Sequence, residues 1–197
     1  MGLTQWELIE EDLLSDDWAQ LHRAKLRLTL SNGTVLEQYR QTYDRGDGTV
    51  LLPYDLEAGR VLLGRQFRWP AARRGDADPH LIEAAAGALD DADPEDRIRA
   101  EVSEELGLTL GPVEKVFEAY SSPGSITEIM HYFVAPYTSR PDQSHVGGLE
   151  EEGEEIEVID LTISEALAMI RDGRIRDAKT IILLQHAALH IFSRSDT

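Results

Sequence analysis

The sequence predicts a layered α/β (α+β) fold, helices packed on a mixed sheet, and three observations predict it. Strand-like segments dominate the first eighty residues, a helix signalled at both ends follows near residue 94, and strands and helices then interleave without an internal repeat. The length of 197 residues is about 1.3 times a typical domain, which suits one compact domain with an added element. Hydrophobic content of 42% and charged content of 28% lie in the ordinary globular range, so the chain is expected to bury a core.

The first seventeen residues carry Glu7, Glu10, Glu11, Asp12, Asp16 and Asp17, the wrong sign for a secretory or organellar leader. No apolar run approaches the roughly 18 residues of a membrane helix, so a cytoplasmic location is expected. Residues 24–30 alternate, Asn32-Gly33 signals a turn and residues 34–39 resume strand composition, which makes a hairpin. Residues 49–54 and 60–66 read as strands about a turn at 55–59, and residues 70–79, bounded by Pro70 and Pro79, read as a loop.

Asp93-Pro94 places a capping carboxylate before a proline at the first helical position. Glu95 and Asp96 suit the positive end of the helix dipole and Gly107 supplies a stop, so a helix is expected over residues 94–106. Residues 113–120 and 129–135 read as strands separated by Ser121-Ser122-Pro123-Gly124. Residues 154–161 form another strand, and 164–172 and 180–193 close the chain as helices.

Charge and composition exclude several functions. With 19 basic against 37 acidic residues the net charge is −18, which argues against a nucleic-acid-tracking surface or an anionic membrane as partner. The chain has no Cys, so it has no disulfide framework, thiolate zinc site, iron–sulfur cluster or cysteine nucleophile. A bound metal would be held by oxygen or imidazole.

On the 94–106 helix, Ile98, Val102 and Leu106 form one apolar stripe. Glu105 falls within roughly 20° of it and Glu101 about 40° beyond Glu105, so the two carboxylates share a face. A carboxylate at the edge of a buried stripe is costly unless paired or ligated, and Glu101, Glu104 and Glu105 together suit a hard divalent cation. The same residues also read as a solvated acidic face paired to Arg97 and Arg99. Elsewhere, residues 150–157 hold six glutamates around Gly153, which by composition is a solvated charge run. Arg60, Arg65, Arg68, Arg73 and Arg74 occur with no acidic residue among them, either as phosphate ligands or as charges that keep an edge strand soluble. His186 and His190 have i, i+4 metal spacing without a third ligand nearby, which favours a structural role.

The stretch from Gly87 through Asp93-Pro94 to Glu101-Val-Ser-Glu104-Glu105-Leu-Gly107-Leu108 resembles the Nudix box, the signature of the Nudix hydrolases. Asp93 replaces the first glutamate of the box, the loop after Gly87 is one residue short, and Ala100 stands where the family has a basic residue, a role open to Arg97 or Arg99. Further segments resemble the GDP-mannose pyrophosphatase branch, close to the ADP-ribose pyrophosphatases: Tyr43-Asp-Arg-Gly46, Arg65-Gln-Phe-Arg68, Leu81-Ile-Glu83 leading to Ala86-Gly87, residues 120–128, residues 147–158 and Ile175-Arg-Asp-Ala-Lys-Thr180. The similarity spans roughly residues 8–189.

The resemblance implies a Nudix α/β/α sandwich over residues 46–197. It also implies an N-terminal β segment over residues 1–45, with Trp6 and Trp18, that packs on or exchanges with a second subunit in a homodimer. It implies Mg²⁺, with Mn²⁺ as the alternative, held by the Ala86 carbonyl, Glu101, Glu105 and Glu154. Glu104 supports, Glu152 and Glu154 are catalytic with either as the base, and Arg65, Arg68, Glu83, Gly124 and Glu128 bind substrate. The implied reaction is hydrolysis of a nucleoside diphosphate sugar, GDP-mannose giving GMP and mannose 1-phosphate. The rivals are ADP-ribose hydrolysis and a nucleotide-sugar-binding Nudix domain that has lost its chemistry.

Overall fold

In the computed structural model, which describes residues 2–137, 146–148 and 155–193, the chain divides into two units. The first comprises residues 1–47 and 119–130. Its core element is a three-stranded antiparallel sheet of β1 (Leu3–Asp16), β2 (Gln20–Leu30) and β3 (Val35–Asp44). The expected hairpin is β2–β3, closed where the Gly33 N–H donates to the Leu30 carbonyl (2.9 Å) and the Asn32 side chain accepts from the Thr34 N–H (3.0 Å).

Glu7, Arg27 and Glu37 lie opposite one another across the three strands, and Arg27 bridges both carboxylates at 2.8 and 3.0 Å. Asp12–Arg23 (2.7 Å) and Lys25–Glu37 (2.9 Å) extend the ladder. One residue along, a second row runs Trp6, Leu28, Leu36, and by strand alternation it belongs to the opposite face. Trp6 is 66% exposed and Leu8 47%.

The second unit comprises residues 48–118 and 131–197. Its strands are β4 (Gly48–Asp55), β5 (Arg60–Phe67), β6 (His80–Glu83), β7 (Ala85–Ala88), β8 (Glu114–Tyr120), β9 (Ile129–Pro136), β10 (Val146–Gly147) and β11 (Ile156–Thr162). Their order is β10-β11-β5-β4-β9-β8, with β6 added to β5 and β7 to β4. The helices are α1 (Trp69–Arg74), α2 (Pro94–Leu106), α3 (Ile163–Arg171) and α4 (Ala178–His190). Helix α2 packs on β4, β5 and β7, α4 packs on β4, and α3 lies on β11 and α4.

Cover on both faces explains why β4 and β5 carry unbroken apolar runs, Val50-Leu51-Leu52 and Val61-Leu62-Leu63, rather than an alternation. Leu51 and Leu62 join Ile98, Val102, Leu106 and Phe133 in the core beneath α2. The arrangement is the layered α+β sandwich that the sequence predicts.

The expected loop over residues 70–79 is corrected in its first half, which forms α1. Pro70 sits in the first turn, where its missing N–H costs nothing, and Gly75, at φ +94°, caps the end through N–H contacts to the Ala71 and Ala72 carbonyls. Arg73 and Arg74 fall in the last turn, where positive charge meets the negative end of the helix dipole. Strands β6 and β7 are four residues each and carry no alternation of their own; their neighbours β5 and β4 determine them. No described helix is long and apolar enough to cross a membrane.

Leu51 is fully buried where α2 meets the sheet. Leu51→Ala is expected to lower unfolding stability by about 2–5 kcal/mol, read as a lower urea midpoint than wild type.

Candidate functional site

Helix α2 begins where the Asp93 carboxylate accepts from the N–H groups of Glu95 (2.9 Å) and Asp96 (3.3 Å). The Thr49 hydroxyl, on β4, donates to the Pro94 carbonyl (3.2 Å) and ties the helix start to the sheet. The stripe this helix buries contains Ile98, Glu101, Val102, Glu105 and Leu106, while Glu104 is exposed. Glu101 and Glu105 are therefore carried into the interior one turn apart, only 7% and 4% exposed.

Glu101 is met by Arg97, one turn earlier, at 2.5 Å, and Arg97 Nε also donates to the Ala88 carbonyl (3.1 Å). Arg97 is thus the one of the two arginines just before Ala100 that pairs with Glu101. Arg99 turns elsewhere, to Glu95 (2.8 Å) and the Gly111 carbonyl (3.3 Å). The two inner carboxylates are thus buried, with Arg97 on Glu101, and the outer one, Glu104, is solvated.

Gly87, on β7, lies directly against the Glu101 side chain; a Cβ there would fall on the carboxylate and displace it, so glycine allows this close approach. It pairs with Thr49, and Ala86 with Val50, so this backbone is hydrogen-bonded into the sheet. Among the described residues no set of three or more His, Asp or Glu side chains stands ready to hold a metal ion. Glu101, against the Gly87 backbone, and Glu105, buried one turn on, nonetheless form an all-oxygen donor set that fits a hard divalent cation whose other ligands come from water, substrate or a further carboxylate.

The other end of α2 receives a second close approach. Gly147, on β10, packs so tightly on the Glu105 backbone that any side chain would overlap it, and the Gly148 N–H donates to the Glu104 carbonyl (3.2 Å). Gly147 pairs with Ile156 of β11. Glu152 and Glu154 lie outside the described residues, and the chain on either side of them is anchored at this seam.

Three of the five arginines, Arg60, Arg65 and Arg68, pair with acids on other segments. Arg60 pairs with Asp160 (2.6 Å), and Arg65 with Asp78 (2.8 Å) and Glu157 (3.1 Å). Arg68 grips Glu83 with two hydrogen bonds, at 3.1 and 2.7 Å. Lys179 of α4 adds a third contact to Glu83 (2.9 Å) and also pairs with Asp177 (3.0 Å). Burial pushes the Glu83 carboxyl up, but the hydrogen bonds and charges of Arg68 and Lys179 outweigh it and hold the group at about 2.

Gly124 and Glu128 belong to the first unit. Gly124 is exposed in a turn, and Glu128 is buried with Arg45 at 3.1 Å. His186 and His190, with ring centroids 4.7 Å apart, line a groove of about 420 Å³ with Tyr54, Leu56, Glu114 and Val134, and no metal-ligating triad forms there. Sequence reasoning assigned no role to Asp177, Lys179 or Thr180. The signal was present, because Asp177 and Thr180 have the spacing of a helix N-cap and the N–H group it accepts from.

Comparison with known proteins bears on family and fold. Residues 5–43 match the family model of the GDP-mannose pyrophosphatase NudK N-terminal domain. A protein of Pectobacterium atrosepticum named GDP-mannose pyrophosphatase is 49% identical over 183 residues, covering 93% of this chain and 94% of its own. Proteins of the same name from Yersinia enterocolitica and Yersinia pestis are 47% and 46% identical over 93% and 97% of this chain. A solved structure described as an ADP compounds hydrolase superposes with a TM-score of 0.73 over the whole of both chains at 12% identity, which shows a shared fold.

Glu83 generates a pH test. Its folded-state pKa lies below its ordinary 4.5, so its ion pairs contribute fully above pH 4.5 and the contribution is lost as pH falls through about 2. The stability difference between wild type and Glu83→Gln is expected to be constant from neutral pH to about 5 and to shrink below 4.5, measured by urea unfolding at each pH.

Proposed function

We propose that this chain, which belongs to the GDP-mannose pyrophosphatase family of Nudix hydrolases, hydrolyses the diphosphate bond of GDP-mannose to give GMP and mannose 1-phosphate. The observation that carries the reading is the pair Glu101 and Glu105, buried on one stripe of α2, with the Gly87 backbone lying against Glu101. The Arg97–Glu101 contact supports catalysis over a binding module, since it supplies the positive partner that Ala100 lacks.

Nudix hydrolases generally need a divalent metal, and Glu101, Glu105, the Ala86 carbonyl and Glu154 would hold it here, as Mg²⁺. When bound, such an ion neutralises phosphoryl oxygens and lowers the pKa of an attacking water. Glu152 or Glu154 takes the proton from that water as its oxygen bonds to phosphorus; the bond from phosphorus to the bridging oxygen breaks, and its electron pair leaves with the departing phosphate. Glu104, solvated at the rim of the stripe, supports the inner pair. Arg65 and Arg68 each keep about a third of their side chain exposed while paired, which leaves room for a substrate phosphate oxygen beside Asp78, Glu157 and Glu83. Glu83 acts through Arg68, and Gly124 and Glu128 enter through the family resemblance alone.

We also propose a homodimer through the three-stranded sheet. Its apolar row of Trp6, Leu28 and Leu36, with Leu8 nearby, is a surface that folded proteins normally cover.

Incubation of the pure protein with Mg²⁺ and GDP-mannose, ADP-ribose, GDP-glucose or UDP-glucose is expected to release GMP preferentially from GDP-mannose. EDTA should abolish that release, and Glu101→Gln should reduce it more than about 100-fold. Full activity in that variant or in EDTA would refute the metal site, and preference for ADP-ribose would move the substrate assignment. Light scattering should give twice the 22.0 kDa chain mass, and Trp6→Glu should shift it toward the monomer.

A further inference from the structure

The backbone that meets Glu101 is held from a second side, by the first turn of α4. Between β6 and β7 the N–H of Ala84 leaves the sheet ladder and donates to the Thr180 hydroxyl (2.7 Å), with Ala84 and Thr180 both buried. That hydroxyl donates in turn to the Asp177 carboxylate (2.6 Å), the same carboxylate that caps α4 by accepting from the Thr180 N–H (2.9 Å). Lys179 spans the same junction one residue earlier, between Glu83 and Asp177. Arg68, Glu83, Lys179 and Asp177 thus form a partly buried set of two positive and two negative charges, with the hydroxyl of Thr180 closing it onto the main chain.

The junction so held is two residues before Ala86 and three before Gly87. Gly87 lies against the Glu101 side chain, so a shift of the Glu83-Ala84 backbone alters the surface that this carboxylate meets. Resting on the function proposed above, we propose that Lys179 and Thr180 are positioning residues of the pyrophosphatase site, which fix the β6–β7 junction and through it the Ala86-Gly87 backbone against Glu101. They touch neither substrate nor reacting atoms; they set the geometry in which the donor oxygens meet an ion, a role that outer partners of a metal site commonly have.

The test is Mn²⁺ affinity of the full chain, measured by electron paramagnetic resonance with Mn²⁺ alone. Wild type is compared with Thr180→Val, Thr180→Ser, Lys179→Met and Glu101→Gln. Expected are a loss of roughly tenfold in affinity for Thr180→Val and Lys179→Met, with Thr180→Ser, which keeps the hydroxyl, within about twofold of wild type. In turnover, both impaired variants should need more metal for half-saturation, and Thr180→Val should keep the wild-type KM for nucleotide sugar at saturating metal. A purely structural clamp would lower Tm without moving Mn²⁺ affinity, and that result in both Thr180→Val and Lys179→Met would overturn the proposal. If Thr180→Val does not fold, Lys179→Met, whose side chain reaches solvent, decides alone. Retention of wild-type Mn²⁺ affinity by Glu101→Gln would instead refute the metal helix, and the positioning role with it.

Discussion

A carboxylate taken out of water must be met by positive charge, hydrogen bonds or an ion, and this constraint organises the second unit of the molecule. Among the described residues of that unit, three glutamates are carried inside: Glu83 on β6, and Glu101 and Glu105 on α2. Glu83 is compensated fully by protein, through Arg68 and Lys179. The pair on α2 has a different balance. Glu101 is met by Arg97 and by the Gly87 backbone, and Glu105 lies one turn on along the same buried stripe. The first arrangement is that of a structural strut, and the second is the one on which the proposed cation site rests.

The layers make both arrangements attainable. Since β4 and β5 are covered on both sides, their apolar runs anchor α2 and α4 firmly, and the polar groups can be placed at the strand ends without cost to the core. Strand β7 is the hinge between the layers, hydrogen-bonded to β4, pressed by Gly87 against α2 and tied just upstream to α4. At the far end of α2, Gly147 and Gly148 bring the chain that leads to Glu152 and Glu154 onto the backbone of Glu104 and Glu105.

Much of this was legible in the sequence where the signal is local. Asp93, Pro94 and Gly107 bound α2 to the residue, because caps and stops act within one turn. The strands β4 and β5 follow from apolar runs, and the β2–β3 hairpin from Asn32-Gly33. The helix α1 was hidden because a proline read as a breaker is also a favourable first-turn residue. The short strands β6 and β7 were hidden because pairing partners, not their own residues, define them. The site divides in the same way. The stripe placing Glu101 beside Glu105 follows from helical periodicity, whereas the partners of Arg60, Arg65 and Arg68 stand 100, 92 and 15 residues away and no local pattern announces them. The choice of Arg97 over Arg99 required knowing which side of α2 faces the sheet.

The hydrogen bond from Ala84 to Thr180 joins residues 96 positions apart. Chain is made from the amino end, so β4, β5, β7 and α2 all emerge before the residue that fastens their junction exists. The strand that meets Glu101 therefore waits for α4, and a chain interrupted before it lacks the fastening although every glutamate of α2 is present. Contacts of such long range slow folding, because loop closure must precede the gain. The order of synthesis thus leaves the β6–β7 junction unfastened until α4 has emerged, although the strands it joins are already made.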